Sequence, residues 1–72
     1  MDLRQAIEEG CEMMNISERE LARRARLGVG TITLWKTGRR SPRLAELARL
    51  AKALWMPTLE LVAIVLNELG EE

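Results

Sequence analysis

The basic residues of this chain are concentrated in its middle third. Between residues 19 and 43 the formal charge is +7, whereas residues 1–18 sum to −4 and residues 44–72 to −3. Guanidinium and ammonium groups bind phosphate through charge-assisted hydrogen bonds, and a localised basic segment is typical of proteins that bind a polyanion. The alternative is that these charges only cover solvated helix faces, which normally mix the two signs. The segment contains one acid, Glu20, and eight basic residues: Arg19, Arg23, Arg24, Arg26, Lys36, Arg39, Arg40 and Arg43.

Catalytic and metal-binding chemistry is poorly represented in the sequence. The chain has no histidine and one cysteine, Cys11, so an internal disulfide is impossible and a structural zinc site is not expected. No nucleophile lies beside a base, and there is no metal-ligand cluster or phosphate-binding loop. We therefore expect no enzyme activity, no metal and no cofactor. With no signal peptide, and a longest apolar stretch (61–66) too short to span a bilayer, a cytoplasmic protein without membrane contact is expected.

Cap and turn signals predict a single domain, 1–72, of five helices without strands. The helices are expected at about 2–14, 17–25, 29–37, 41–54 and 58–69. Ser17 is a good N-cap with Glu20 placed to complete a capping box, and Ser41 with Pro42 predicts the start of the fourth helix. Gly38 supplies a left-handed residue that ends the third helix.

The apolar residues predict both a core and a contact between subunits. Leu, Ile, Val, Met and both Trp are expected to form the core, since the chain has no Phe or Tyr. Ile32 and Trp35 form the inner stripe of the third helix, and the fourth helix has Leu44 among its apolar positions. The fifth helix is apolar on more than one face, which predicts a homodimer unless both faces are buried within one domain. The dimerisation residues are Leu59, Val62, Ile64, Val65, Leu66 and Leu69.

Residues 17–38 read as two short helices joined by a tight turn, with a basic exit over 39–43, an arrangement that presents a helix to the DNA major groove. Residues 15–55 resemble the helix-turn-helix domain of phage repressor and Cro type, found in xenobiotic-response-element-like bacterial regulators. The resemblance implies an all-α fold, a compact five-helix lambda-repressor-like DNA-binding domain with a central helix-turn-helix at about 17–38. It also implies a sequence-specific transcriptional regulator that binds double-stranded DNA as a dimer. The matching stretches are Ser17-x-x-Glu20-Leu21-Ala22, Thr31-Ile32-Thr33, Gly38-Arg39-Arg40-Ser41-Pro42 and Leu47-x-x-Leu50-Ala51-Lys52-Ala53-Leu54.

The resemblance also assigns roles to residues in and after the third helix. Four residues of the third helix occupy the positions at which the family contacts bases. Residues at the flanks of this helix and in the basic exit would bind phosphates without reading the DNA sequence. The implied base-facing residues are Val29, Gly30, Thr33 and Leu34, and the implied phosphate contacts are Thr31, Lys36, Arg39, Arg40 and Arg43.

The chain departs from the family pattern at several of these places. Glu18 replaces a Gln that commonly clamps a phosphate, and Arg26 replaces a turn Gly, which costs roughly 1 kcal/mol if the position needs a positive φ. Of the base-facing residues only Thr33 can hydrogen-bond, so direct readout should be poor. An alternative is a helix-turn-helix scaffold used as an antitoxin-like protein-interaction module. In that case Val29, Leu34 and the fifth helix would be apolar contact surfaces for a protein partner, and DNA binding would be weak or absent.

Overall fold

The computed structural model describes residues 1–70, which form five α-helices and no strand; residues 71 and 72 of the predicted domain lie outside it. The all-α, five-helix prediction is confirmed. The helices are α1 (Leu3–Met14), α2 (Glu18–Ala25), α3 (Val29–Lys36), α4 (Leu44–Ala53) and α5 (Thr58–Gly70).

Helix α2 lies at the centre of the fold and packs against α1, α3 and α4, while α5 covers α4 and α1. Each helix contributes one large, fully buried side chain to a single core: Ile7, Leu21, Ile32, Leu50 and Leu61. Burying a side chain of this size stabilises the fold by about 1.5–3 kcal/mol. Ala22 is completely buried, and its small side chain lets α2 and α3 approach closely. The core therefore fixes the angle at which α3 is presented.

Four helices end at a residue with left-handed backbone: Asn15 (φ 54), Arg26 (φ 58), Gly38 (φ 73) and Trp55 (φ 59). At each end the N–H groups of this residue and its successor donate to carbonyls of the last helical turn, over 2.8–3.3 Å. Gly38 has the predicted role, and Asn tolerates this backbone. Arg26 and Trp55 each cost roughly 1 kcal/mol relative to glycine.

The predicted capping box of α2 and the predicted start of α4 need correction. The Ser17 hydroxyl accepts from the Glu20 N–H at 3.1 Å, as expected of an N-cap. The return bond of the capping box is absent from the described structure because the Glu20 carboxylate is engaged by two arginines of α2. Ser41 does not cap α4: the helix begins at Leu44, since the Glu46 carboxylate accepts from the Arg43 N–H at 2.8 Å and caps the helix there.

Several predicted core and contact residues lie elsewhere than expected. Trp55 is 86% exposed and Leu44 is 69% exposed, so neither belongs to the core, and Met1 and Met13 are also exposed. Cys11 is buried, as predicted.

The dimerisation set on α5 also needs correction. Ile64 and Val65 are each only 9% exposed because this face of α5 packs on the rest of the domain. Both therefore belong to the core of the domain, and this geometry does not favour them as intersubunit contacts. The members that remain exposed are Leu59, Leu66 and Leu69, with Val62 half-buried.

Candidate nucleic-acid interface

Helix α3 has one buried face and one exposed face. Ile32 and Trp35 point inward and are almost completely buried, as predicted. At 100° per residue the opposite face carries the four residues expected to face bases, and the structure leaves all four exposed. These residues are Val29, Gly30, Thr33 and Leu34.

The exposed face of α3 is mostly apolar. Val29 is 52% exposed and Leu34 36%, while Gly30 adds no side chain between them. Thr37, which sequence reasoning passed over, extends the face by one turn, but its hydroxyl donates to the Thr33 carbonyl at 2.9 Å. Thr33 is therefore the main polar side chain that this face can offer to a base edge.

The arginine loop, residues 37–43, is anchored to the end of α3. The N–H groups of Arg39 and Arg40 both donate to the Leu34 carbonyl, at 2.9 and 3.3 Å. The side chains of Arg39, Arg40 and Arg43 are all exposed. Arg40 Nη2 lies 3.3 Å from Glu46 Oε2, whereas Arg39 and Arg43 have no ion pair within residues 1–70. Two cations beside α3 are thus available to an anionic partner, and a third is partly neutralised.

Lys36 is engaged inside the domain. Its Nζ lies 2.5 Å from Glu18 Oε2 and 3.2 Å from Glu8 Oε2, and the side chain is only 19% exposed. The hydrogen bond to Glu18 raises the pKa of Lys36, and the bond from Lys36 lowers the pKa of Glu8. Lys36 therefore joins α1, α2 and α3, and this geometry does not favour the predicted phosphate contact. Thr31, the other predicted contact within α3, is half-buried at the flank of the helix.

Arg19 is a cation beside α3 that sequence reasoning counted without assigning it a role. It lines a groove of about 480 Å³ between α2 and the first residue of α3, Val29. Arg19 is exposed and has no ion pair in the part of the chain that the structure describes. Its neighbour Arg23 is bound to Glu20, and hydrogen bonds from Arg23 and Arg24 lower the pKa of Glu20 to about 2. The i, i+4 spacing of Arg19 and Arg23 is the signal that places both on one side of α2.

The described residues form neither a metal-binding cluster nor a membrane-spanning helix. Within residues 1–70 no group of three or more His, Cys, Asp or Glu side chains is placed to hold a metal ion. Burial raises the pKa of the Cys11 thiol, which suits a core residue. None of the helices in the described range has the length and apolar character needed to cross a membrane.

Comparison with known proteins matches the chain to a protein family. A family model described as helix-turn-helix matches residues 7–61, which include all of α2, α3 and α4 and the arginine loop. No curated protein and no solved structure matches the chain.

Proposed function

We propose that this chain, which belongs to the helix-turn-helix family of phage repressor and Cro type, regulates transcription by docking α3 in the major groove of double-stranded DNA. Proteins of this family are DNA-binding regulators. The observation that supports the proposal is the exposed face of α3, with arginines at both ends that have no ion pair among residues 1–70. Arg19 lies beside the first residue of α3, and Arg39 is fixed to its last turn.

The size and charge of this surface fit a duplex. An eight-residue helix is about 12 Å long, and the major groove is about 12 Å wide. With Arg19 at one end of α3 and Arg39 and Arg43 at the other, cations would meet the phosphates on both sides of the groove. Such contacts set the position of the protein on DNA without reading its sequence. We leave Lys36 out of this set because its ammonium already has two carboxylate partners.

Base recognition would be modest. Val29 and Leu34 can touch thymine methyl groups and Thr33 can make one hydrogen bond, but none can make a bidentate contact, each of which contributes roughly 1–3 kcal/mol of discrimination. DNA shape would then supply much of the preference. We expect a specific-to-nonspecific ratio near the lower end of the usual range of about 10³ to 10⁷.

Selection of bound sequences from a random DNA pool tests this reading. We expect a weak, A·T-containing consensus, and Leu34→Gln should change the preferred base while leaving overall affinity within a few-fold. Asn67→Gln, an exposed polar change on α5, is the matched control and should leave the consensus unchanged. A sharp G-rich consensus that Leu34→Gln does not alter would place the reading residues outside this face of α3.

We further propose that the protein acts as a homodimer through α5. Leu59, Leu66 and Leu69 are 82%, 61% and 60% exposed. At 100° per residue they share one stripe with the half-buried Val62, next to the buried face of the helix. At roughly 25 cal/mol per Å², an apolar stripe left in water is unfavourable, and a two-fold contact between copies removes it.

A protein-interaction module of antitoxin type is the second candidate. It is favoured by the apolar exposed face of α3, since Val29 and Leu34 would suit a protein surface as well as thymine methyls. The two functions differ in DNA affinity. In a gel shift on genomic fragments at low salt, a regulator should retain a shifted band in the presence of heparin competitor. Loss of all binding would favour the interaction module.

A further inference from the structure

A second basic groove lies away from α3, between the end of α2 and the second half of α4. We call it the α2–α4 groove; its volume is about 310 Å³. Among the described residues, the lining side chains include four cations and no acid, with two alanines between them. The lining residues are Arg24, Ala25, Arg26, Arg49, Lys52, Ala53 and Trp55.

Two of these residues hold a backbone conformation that suits glycine. Arg26 (φ 58) ends α2 and Trp55 (φ 59) ends α4, both with left-handed backbone. At the corresponding left-handed ends of α1 and α3 the chain has Asn15 and Gly38. Trp55 is also 86% exposed, so its indole ring contributes little to the core. Both residues are unfavourable for folding, and both line the same groove. Strained residues that do not serve the fold are commonly found at functional sites.

The groove has unused binding capacity for anions and for an apolar group. Arg26 and Lys52 are exposed and have no ion pair within the described residues. Arg49 donates from Nε to the Ala25 carbonyl at 3.1 Å, which fixes the guanidinium at the groove. The face of Trp55 can pack on an aliphatic or aromatic side chain, and its ring N–H can donate.

We propose that the α2–α4 groove binds an acidic segment of a partner protein, with carboxylates on Arg26, Lys52 and Arg49 and an apolar side chain against Trp55. Such a combination of a cationic rim and an exposed aromatic anchor is typical of contact sites in protein interfaces. The groove does not include any residue of the α3 face, so the segment could bind while DNA is held.

The geometry argues against DNA as the occupant. The cations of α2 line two different grooves: Arg19 and Arg23 line the groove at the start of α3, whereas Arg24 lines the α2–α4 groove. No residue of the α3 face or of the arginine loop lines the α2–α4 groove, so a duplex docked on α3 would leave it open. A second copy is also disfavoured. The acidic residues of α1, Glu8, Glu9 and Glu12, seated in this groove would join two different patches. Such heterologous contacts form rings or open chains and not the two-fold dimer proposed for α5.

The test compares three glycine variants of the whole chain. The probe is a fluorescently labelled, end-blocked decapeptide of six Glu and four Leu, measured by anisotropy at 150 mM salt. Trp55→Gly and Arg26→Gly should each weaken peptide binding at least tenfold while raising the thermal midpoint, because glycine suits both positions. Asn15→Gly makes the same backbone change at the end of α1 and should leave peptide binding unchanged. Replacing the peptide's Glu by Gln should abolish binding.

Four results of these measurements would overturn the proposal. No binding of the Glu/Leu peptide by the wild-type chain, or equal binding by Trp55→Gly, would overturn the proposal. Weaker binding of a 20-bp duplex in Trp55→Gly and Arg26→Gly would identify the groove as a DNA surface instead. Loss of self-association in these variants by sedimentation would identify the occupant as a second copy.

Discussion

Replacing Arg39 with Ala should change the salt dependence of DNA binding by an amount that the structure allows us to estimate. Arg39 is exposed, its backbone N–H is bonded to the end of α3, and its guanidinium has no ion pair within residues 1–70. In each protomer, the Arg39 guanidinium is therefore free to neutralise one phosphate of the DNA. The logarithm of the binding constant falls with the logarithm of salt concentration by about 0.9 per neutralised phosphate. Removing one contact from each half of a dimer should flatten the slope by roughly 1.8.

The assay is anisotropy of a labelled duplex at 50, 100 and 200 mM salt. Over this fourfold range the wild-type affinity should fall roughly twelvefold more than that of Arg39→Ala. Arg40→Ala should flatten the slope less, because Arg40 must first leave Glu46, 3.3 Å away. Arg4→Ala is the matched control, since Arg4 is paired with Glu8 on α1, away from the α3 face. An Arg39/Arg40 double variant that binds as well as the parent at every salt concentration would refute the assignment of the arginine loop.

Two further outcomes concern assembly and pH. Leu66→Asp should convert the dimer into a monomer of about 8.2 kDa, because the new carboxylate would be buried without a partner in the α5 stripe. The measurement is sedimentation at high micromolar protein. Asn67→Asp on the same helix is the control and should leave the dimer intact. A wild-type chain that is monomeric at that concentration would contradict the dimer itself. Glu20→Gln should lower the thermal midpoint at pH 7 and lower it much less at pH 2. The folded pKa of Glu20 is about 2 against an ordinary 4.5, so its stabilising effect is present above pH 4.5, falls below it and is lost as the pH passes through the folded pKa. An equal effect of Glu20→Gln at both pH values would contradict this, and Glu9→Gln serves as the control.

Much of the fold could be predicted because local signals agree with tertiary packing. The N-cap at Ser17, the left-handed Gly38 and the spacing of Ile32 and Trp35 each depend on one helix and its ends. The exposed face of α3 follows from the same periodicity once its inner stripe is known. The predicted start of α4 was wrong because Ser41 followed by Pro42 is a strong local signal for a helix start. The helix begins later, where the Glu46 carboxylate accepts from the Arg43 N–H.

Features that depend on contacts between helices could not be predicted in the same way. Helix α5 is apolar around much of its circumference, so periodicity alone could not show that Ile64 and Val65 face the core while Leu66 faces outward. Trp55 was placed in the core because of its hydrophobicity, and nothing in its type indicates a left-handed helix end. The ion pairs of Lys36 require α1, α2 and α3 to meet, which the order of residues along the chain does not show.

The fold leaves only some cations of the basic segment beside α3, where they could contact DNA phosphates. This limits how strongly DNA binding can depend on salt. Arg23 and Lys36 are held in ion pairs within the domain, and Arg24 and Arg26 line the α2–α4 groove. The cations left beside α3 are Arg19, Arg39, Arg40 and Arg43. Four contacts in each half of a dimer give a slope of at most roughly 7, about half of what all eight basic residues would give. A measured wild-type slope well above this value would mean that cations outside this set also bind DNA, either those of the α2–α4 groove or Arg23 and Lys36 after release from their carboxylates.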